Sequence, residues 1–316
     1  MKPILRCLAT LLAALALPVA AEYPERPIKV VIGVPPGGAS DTAARLLGQS
    51  LAKSLGQPVI VENRPGAGGG IAAQAVYSAA PDGYTLLWTF SSMAGLPLLQ
   101  KSTPFKSLAE FAPVSMAVRL PHGLYVHPSV PAVSVAQLVS YARANPDKLN
   151  YATGPLSEYM AAVQFMKASG TTMVRVPYKG GAPALIDVVE GRVQVYFTPH
   201  AQGMPHAKAG KLRMLATLMP ARSEHALEVP TMAEAGLDVS IPSWNAIVAP
   251  PGTPAAITER LSREVRRTLD DPAVRSALAT HYLVPEASTP AQMAEVIAQS
   301  ADAWRRFVIE NGIPQE

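Results

Sequence analysis

Strand-like and helix-like segments alternate along the first third of this chain, and this order restricts its fold more than any other sequence feature. A β-branched run at residues 27–33 (PIKVVIG) precedes a helical pattern whose apolar residues recur every three or four positions between 44 and 55. Further strand-like runs at residues 58–61 and 84–89 flank a second helical segment at 71–80. A β-α-β-α-β order predicts a parallel sheet with right-handed crossovers.

The same alternation starts again in the middle of the chain. Helical segments separate the first four of five predicted strands, which lie at residues 124–126, 149–152, 173–176, 193–197 and 212–217. The C-terminal part differs, because two long helical patterns follow Thr253-Pro254 and Thr289-Pro290. In each pair we expect the threonine to cap the helix and the proline to be its first residue. Two α/β units and a helical tail predict two lobes, with a ligand cleft beyond the carboxyl ends of the strands.

The N-terminus has the pattern of a secretory signal peptide. Lys2 and Arg6 precede an apolar stretch, Cys7–Leu17, which is too short to span a bilayer, and small residues lead to a cleavage position after Ala21. The alternative interpretation is a buried first helix. The pattern predicts that residues 1–21 are removed and that the mature protein is soluble and periplasmic, neither lipid-anchored nor membrane-embedded. Cleavage removes two of the 27 basic residues, so the formal net charge falls from +4 to +2 against 23 acidic residues.

Composition and motif spacing exclude several classes of site. Cys7 is the single cysteine of the chain, so the mature protein has no disulfide, cysteine nucleophile or cysteine metal site. The six histidines lie neither in H-E-x-x-H nor at regular metal-ligand spacing, and no G-x-S-x-G motif is present. Basic residues are dispersed without interleaved aromatic residues, which argues against nucleic-acid binding. We therefore predict no catalytic residue, no metal site and no cofactor.

A glycine pair follows the first predicted strand, in the segment VPPGGASD at residues 34–41. From this segment alone, three interpretations stay open: a nucleotide-binding loop, a plain strand-to-helix turn, or a clamp for another anion. The segment lacks both the G-x-G-x-x-G spacing and the P-loop lysine, and export removes the usual supply of nucleotides. Backbone N–H groups near Gly37 and Gly38, ahead of a helix N-terminus, suit a carboxylate. Asp41 is expected first as a helix cap and second as a ligand contact.

A second glycine pair repeats this arrangement in the second α/β unit. The segment VPYKGGAPA, at residues 176–184, again places a strand end, two glycines and a helix in order. Two such loops, one from each lobe, are predicted to face each other across the cleft and to hold the two ends of a small diacid. Other small polar segments follow predicted strands at Ser91-Ser92 and Thr153-Gly154, so they are expected near the same cleft.

Longer stretches around these loops resemble the periplasmic solute-binding receptors of tripartite tricarboxylate transporters, the Bug-type or TctC-like proteins. The similar blocks are, in order, YPERPIKVVIGVPPGGASDTAARLL, LGQPVIVENRPGAGGGIAAQAV, APDGYTLLW, VPYKGGAPALIDVVEGRVQVYF, AGKLRMLA, VPTMAEAGL and WNAIVAPPGTPAAI. They cover nearly the whole mature chain. The resemblance implies an α/β periplasmic-binding-protein fold of type II. Its two lobes would comprise residues 22–121 plus 243–316 and residues 122–242, joined by two crossings.

The resemblance also implies a monomeric, non-enzymatic receptor that binds a small organic carboxylate in the interlobe cleft and delivers it to a membrane permease. A receptor that serves a sensor kinase and, in a different class, an exported enzyme are the alternatives. Members of this family hold their ligands through backbone amides, hydroxyl groups and ordered waters. The predicted ligand-binding residues are Pro36, Gly37, Gly38, Asp41, Ser91, Ser92, Thr153, Gly154, Ser157, Tyr178, Gly180, Gly181, Ala182 and Thr198.

The chain departs from the family pattern at several positions near the predicted site. Gln194 and Thr198 stand where family members often have acids, and Met93-Ala94-Gly95 replace a segment in which a histidine is often seen. Pro155 and Glu158 are unusual in the loop that follows the strand ending in Tyr151-Ala152. Without acids at positions 194 and 198, the site is expected to select less strongly for ligands that carry an amine. Glu158 is a candidate to restore that selection. These changes concern the identity of the ligand more than the mode of binding.

Overall fold

The computed structural model describes residues 23–103, 105–154, 156–241 and 243–315. The predicted signal peptide, residues 1–21, lies outside these described residues. Within them, no helix combines the length and the apolar character that a membrane crossing requires. The described chain forms two mixed β-sheets with helices packed against them.

Eleven strands are found in the described part of the chain. In chain order they are β1 (Ile28–Ile32), β2 (Val59–Asn63), β3 (Thr85–Phe90), β4 (Ala112–Arg119), β5 (His122–Val126), β6 (Asn150–Thr153), β7 (Val174–Pro177), β8 (Val195–Pro199), β9 (Arg213–Thr217), β10 (Trp244–Ala249) and β11 (Val284–Pro285). The six-stranded first sheet has the order β11-β4-β10-β3-β1-β2, and the five-stranded second sheet has the order β7-β6-β8-β5-β9.

Ten α-helices connect and cover these strands in the described residues. They are α1 (Ala39–Leu55), α2 (Gly70–Tyr77), α3 (Leu96–Leu99), α4 (Val135–Ala144), α5 (Leu156–Ser169), α6 (Gly181–Val189), α7 (His200–Lys208), α8 (Ala255–Asp270), α9 (Pro272–Thr280) and α10 (Pro290–Asn311). Short 3-10 helices span Ala67–Gly69, Ser91–Gly95 and Leu108–Glu110.

Each sheet combines parallel and antiparallel pairs. In the first sheet β2, β1 and β3 are parallel, as the β-α-β-α-β order predicts. Strand β10 then pairs antiparallel with both β3 and β4, a return that the local pattern does not reveal. In the second sheet β6 is parallel to β7 and β8, whereas β5 is antiparallel to β8 and β9. The sheets are therefore mixed, rather than parallel throughout as the sequence pattern predicts for the first unit.

The chain passes between the sheets twice. It leaves the first sheet between β4 and β5, at Leu120 and Pro121, and it returns between β9 and β10. Lobe 1 denotes the part that carries the first sheet, and lobe 2 the part that carries the second. The predicted lobe boundaries at residues 121/122 and 242/243 lie at these passages. The exact boundary residues stay a prediction. This topology places the carboxyl ends of several strands from both lobes around one region.

Each lobe has an apolar core, and Met160 of lobe 2 packs into the core of lobe 1. The predicted apolar face of α1 is buried in the core of lobe 1, where Leu47 packs with the sheet residues Ile32 and Trp88. In lobe 2 the Phe165 and Phe197 rings pack with their centroids 5.5 Å apart. Each sheet is thus covered by buried apolar side chains.

Most predicted helix boundaries agree with the structure. Gly56 ends α1 with a φ of 68°, and the Ser134 and Thr289 hydroxyls cap α4 and α10. The prediction for Thr253 is wrong, because Pro254 is the residue that precedes α8 and makes no side-chain cap. The Thr253 hydroxyl instead donates to the Pro250 carbonyl at 2.8 Å.

Candidate functional site

A cavity lies between the two lobes, bordered by both glycine-bearing loops. Its volume is about 40 Å³. Because one buried water needs roughly 10–15 Å³, several waters or a small solute fit inside. The residues that line it are Val34, Pro35, Gly38, Ala39, Ser40, Phe90, Ser91, Ser92, Leu120, His122, Ser157, Glu158, Gly181, Ala182, Pro199, Gln202, Ser243, Trp244 and Asn245.

Three helices begin at this cavity without a capping side chain. Helix α1 begins after Gly38, α6 after Gly180 and α7 after Pro199, and none of these residues makes a side-chain capping bond. The first N–H groups of a helix have no partner within the helix, and the helix dipole places roughly half a positive charge there. Helix starts from both lobes therefore place positive dipole ends around one small space, although at α7 the His200 N–H already donates to the Pro121 carbonyl at 2.7 Å.

The cavity lining offers no cationic side chain in the described residues. It contains no lysine or arginine. Its histidine, His122, is fully buried, and burial lowers the pKa of His122 to about 4 despite a bond to the Leu120 carbonyl, so the ring is neutral at pH 7. A negative group placed here would be stabilised by N–H groups and helix ends, without an ion pair.

An internal network holds the first glycine loop from behind. The carboxylate of Asp41 accepts hydrogen bonds from the Gly37 N–H at 3.0 Å, from Arg45 at 3.0 Å and from the Asn63 amide at 2.8 Å. The Asn63 amide also donates to the Val34 carbonyl at 3.0 Å. Gly37 has a φ of +89°, which residues with a side chain rarely adopt. The network therefore fixes a turn that requires glycine at position 37.

Asp41 is buried and ionised within this network. Burial raises the pKa of its carboxyl, but the hydrogen bonds from Arg45, Gly37 and Asn63 outweigh that effect and bring the pKa below its ordinary value. The residue lies in the first turn of α1, as predicted for a helix-start acid, and it is absent from the cavity lining. A direct contact between Asp41 and a ligand stays a prediction that this placement does not support.

The second glycine loop needs glycine for space rather than for backbone conformation. A methyl group added to Gly180 would lie 2.6 Å from Cδ of Pro35 in lobe 1, and one added to Gly181 would lie 2.6 Å from the Gln202 amide. A methyl group on Gly154 would similarly lie 2.5 Å from the backbone of Gly180. All three distances are too short for real contacts, so these glycines permit close packing of two loops of lobe 2 and of one loop from lobe 1.

A second buried carboxyl group, Glu158, faces the cavity from the first turn of α5. It accepts hydrogen bonds from the Gly154 N–H at 2.5 Å and from the Tyr196 hydroxyl at 3.0 Å. Burial raises the pKa of Glu158 to about 8, and the two hydrogen bonds oppose that rise. No salt bridge to Glu158 is found among the described residues. The carboxyl is therefore mostly protonated at pH 7, and it adds no full negative charge to the cavity.

Gln202 lies in the first turn of α7 and is only 8% exposed. The Thr198 hydroxyl donates to its Oε1 at 3.1 Å, whereas its Nε2 has no hydrogen-bond partner among the described residues. A buried donor without an acceptor destabilises a protein by about 1–3 kcal/mol. This amide is therefore a polar group whose acceptor the described chain does not supply.

The structure gathers the predicted site residues in one region but divides them into two sets. Those that line the cavity are Gly38, Ser91, Ser92, Ser157, Gly181 and Ala182. Those outside the lining are Pro36, Gly37, Asp41, Thr153, Gly154, Tyr178, Gly180 and Thr198. Several of the second set have protein partners: the Tyr178 hydroxyl donates to Asp187 at 2.6 Å, and the Thr153 hydroxyl accepts from Arg175 at 3.1 Å. Direct ligand contact stays a prediction for all fourteen.

Several lining residues were not predicted from the sequence. Ser40 and Asn245 join across lobe 1 through a 2.9 Å hydrogen bond, and β10, which carries Asn245, was not predicted as a strand. Gln202 was missed because α7 contains Gly203 and Pro205, which break a helical sequence pattern. The available signal was its position, since Gln202 follows the end of β8 by three residues, where strand ends of an α/β sheet place their sites.

Comparisons with known proteins agree with this geometry. The family model described as "Tripartite tricarboxylate transporter family receptor" matches residues 43–313. Protein BugT of Bordetella pertussis is 38% identical over 95% of this chain and 94% of its own length.

Solved structures show the same similarity. Rpa4515 of R. palustris with adipate has a TM-score of 0.89 at 31% identity, covering 93% of this chain and 100% of its own. MatC (Rpa3494) from Rhodopseudomonas palustris with bound malate has a TM-score of 0.85 at 30% identity, covering 90% and 100%. The α/β fold with two mixed sheets is thus that of periplasmic binding proteins, and the chain belongs to the tripartite tricarboxylate transporter receptor family.

Proposed function

We propose that this protein is a periplasmic receptor that binds a small organic carboxylate between its lobes and delivers it to a tripartite tricarboxylate-type permease. One observation carries the proposal: three uncapped helix N-termini, from both lobes, border one cavity whose described lining has no lysine or arginine. Such ends favour anions and need no cationic side chain. The adipate and malate bound by two similar structures support a carboxylate as the ligand class.

Family membership makes the chain a solute-binding protein and not an enzyme. Because the cavity has walls from both lobes, a ligand contacts all of them only when the lobes are closed, so ligand binding favours the closed state. Micromolar affinity corresponds to about −8 kcal/mol. A few charge-assisted hydrogen bonds at roughly 1.5–3 kcal/mol each account for that value after ordering costs. The closed surface is what we expect the permease to recognise.

Family membership also supports a periplasmic location. The signal peptide at residues 1–21 and the monomeric state stay predictions. In the proposed scheme the mature chain diffuses in the periplasm, closes on the acid and releases it at the permease.

A thermal-shift screen of the mature protein tests this function. Malate, adipate and further mono- and dicarboxylates are compared with their neutral amides, which have similar shapes without the charge. A ligand at 100 times its Kd adds about 2.7 kcal/mol to the unfolding free energy, so the melting temperature should rise with acids alone. The proposal is wrong if no carboxylate raises it while a neutral or cationic solute does.

A further inference from the structure

The amide nitrogen of Gln202 lies beside the cavity between glycines of the two lobes. A methyl group added to Gly181 would lie 2.6 Å from this Nε2, and one added to Gly38 would lie 3.8 Å from it. Gly181 begins α6 of lobe 2, whereas Gly38 precedes α1 of lobe 1. The amide therefore sits between the two glycine-bearing helix starts, one from each lobe.

Three sets of donors meet at this point. The N–H groups at the starts of α1 and α6 have no side-chain cap, and the Gln202 Nε2 has no acceptor among the described residues although the side chain is more than nine-tenths buried. Buried polar groups in native proteins are nearly always paired, so an unpaired one in a cavity indicates a missing partner. That partner must accept hydrogen bonds from several directions, as a carboxylate does.

We propose that Gln202 is a ligand-binding residue, whose side-chain amide donates to a carboxylate oxygen of the bound acid where the two lobes meet. The proposal rests on the proposed receptor function and adds a side chain that selects for an acceptor in the ligand. Because the donor is neutral and is carried by lobe 2, while Gly38 belongs to lobe 1, one carboxylate joins the lobes. Ligands with an ammonium group at this position are disfavoured.

Thr198 acts through Gln202 as a positioning residue. Its hydroxyl donates to Oε1 and so turns Nε2 toward the glycines. Thr198 itself lies outside the cavity lining, which favours this role over the direct ligand contact predicted from the sequence.

Isothermal titration of whole-protein variants with malate and adipate tests the proposal. Gln202→Met keeps the side-chain length without the donor, and we expect binding at least tenfold weaker. Gln202→Glu places an acceptor against the carboxylate, and we expect a loss of at least a hundredfold. The control is Gln49→Glu on the exposed face of α1, which adds the same charge and should leave affinity within twofold.

Each outcome decides between the two proposals. Wild-type affinity in a folded Gln202→Met variant overturns the role of Gln202 and leaves the receptor function intact. Failure of the wild-type protein to bind any carboxylate overturns both. If Gln202→Met does not fold, Thr198→Val decides: a three- to tenfold loss supports the oriented amide, and unchanged affinity overturns it.

Discussion

The starts of α1 and α5 use the same local arrangement with opposite electrostatic results. In lobe 1 the Gly37 N–H donates to Asp41, four residues later, and in lobe 2 the Gly154 N–H donates to Glu158, again four residues later. Arg45 pairs with Asp41, so that carboxylate stays charged behind the loop. Glu158 has no salt bridge among the described residues, and it faces the cavity mostly protonated. Both carboxyls are buried, and the hydrogen-bond donors around each one, with Arg45 present only at Asp41, decide its charge state.

The glycines of the two loops are also needed for different physical reasons. In lobe 1, Gly37 is needed for its positive φ, and a methyl group there would contact nothing within 4 Å. In lobe 2, Gly180 and Gly181 are needed for space. Lobe 1 thus presents a loop fixed by its own network, and lobe 2 presents a tightly packed, neutral surface. The two loops look alike in sequence but are not interchangeable in structure.

The largest effect is expected from adding a methyl group to the packed loop of lobe 2. Gly181→Ala places Cβ 2.6 Å from the Gln202 amide, so the amide must move and ligand affinity should fall at least tenfold, as expected for Gln202→Met. Gly48→Ala, within α1 and outside the cavity lining, is the control, since its Cβ would lie an ordinary 3.4 Å from Val59, and affinity should change less than threefold. Isothermal titration measures both variants. Equal losses in the two would refute the need for space at Gly181.

A smaller effect is expected from Asp41, and it concerns stability. Asp41→Asn removes the charge that accepts from Arg45 and Gly37, so the unfolding free energy should fall by about 1–3 kcal/mol. The comparison variant, Glu158→Gln, removes no ion pair and should not destabilise the protein at pH 8. Urea denaturation followed by circular dichroism gives both values. An Asp41→Asn protein as stable as wild type contradicts the network's role.

The third effect is a pH dependence of Glu158. Its carboxyl has a folded pKa of about 8 against an ordinary 4.5, so the folded state holds a proton that the unfolded state loses. Wild-type stability relative to Glu158→Gln should therefore fall as pH rises from 4.5 to about 8.

The affinity for a carboxylate ligand should also depend on the protonation of Glu158. Above pH 8 the ionised Glu158 repels the ligand, so wild-type affinity should fall by about tenfold per pH unit, while Glu158→Gln stays flat. The other titratable groups facing this carboxyl do not charge in that range: the pKa of His122 is about 4 and that of Tyr178 about 12, and burial raises the pKa of Tyr196 well above 10. A flat wild-type profile from pH 7 to 9.5 would contradict a protonated Glu158.

The sequence pattern predicted the two α/β units, and it predicted that both glycine loops lie at one cavity, because both features depend on local order. Strand, glycine pair and helix follow one another at both loops, and parallel strands place their carboxyl ends together. The antiparallel insertion of β10 depends on pairing between distant segments, which no local pattern encodes. The same holds for the Gln202 amide, whose neighbours come from three separate segments.

The sequence contains part of the information that determines the charge states of Asp41 and Glu158. Arg45 lies four residues after Asp41, at the spacing of a helical ion pair, whereas Ala162 occupies the equivalent position after Glu158. That difference indicates a paired acid in lobe 1 and an uncompensated one in lobe 2. The burial that raises the pKa of Glu158 depends on the packing of Tyr196 and the cavity wall, and only the structure reveals it.

A crystal structure of the mature protein with the acid that gives the largest thermal shift tests the central claim most directly. We predict a closed protein whose ligand carboxylate lies about 2.7–3.2 Å from backbone N–H groups at the starts of both α1 and α6, with no lysine or arginine side chain in contact. A ligand bound outside this cavity, or one whose carboxylates face solvent away from both helix starts, would contradict it.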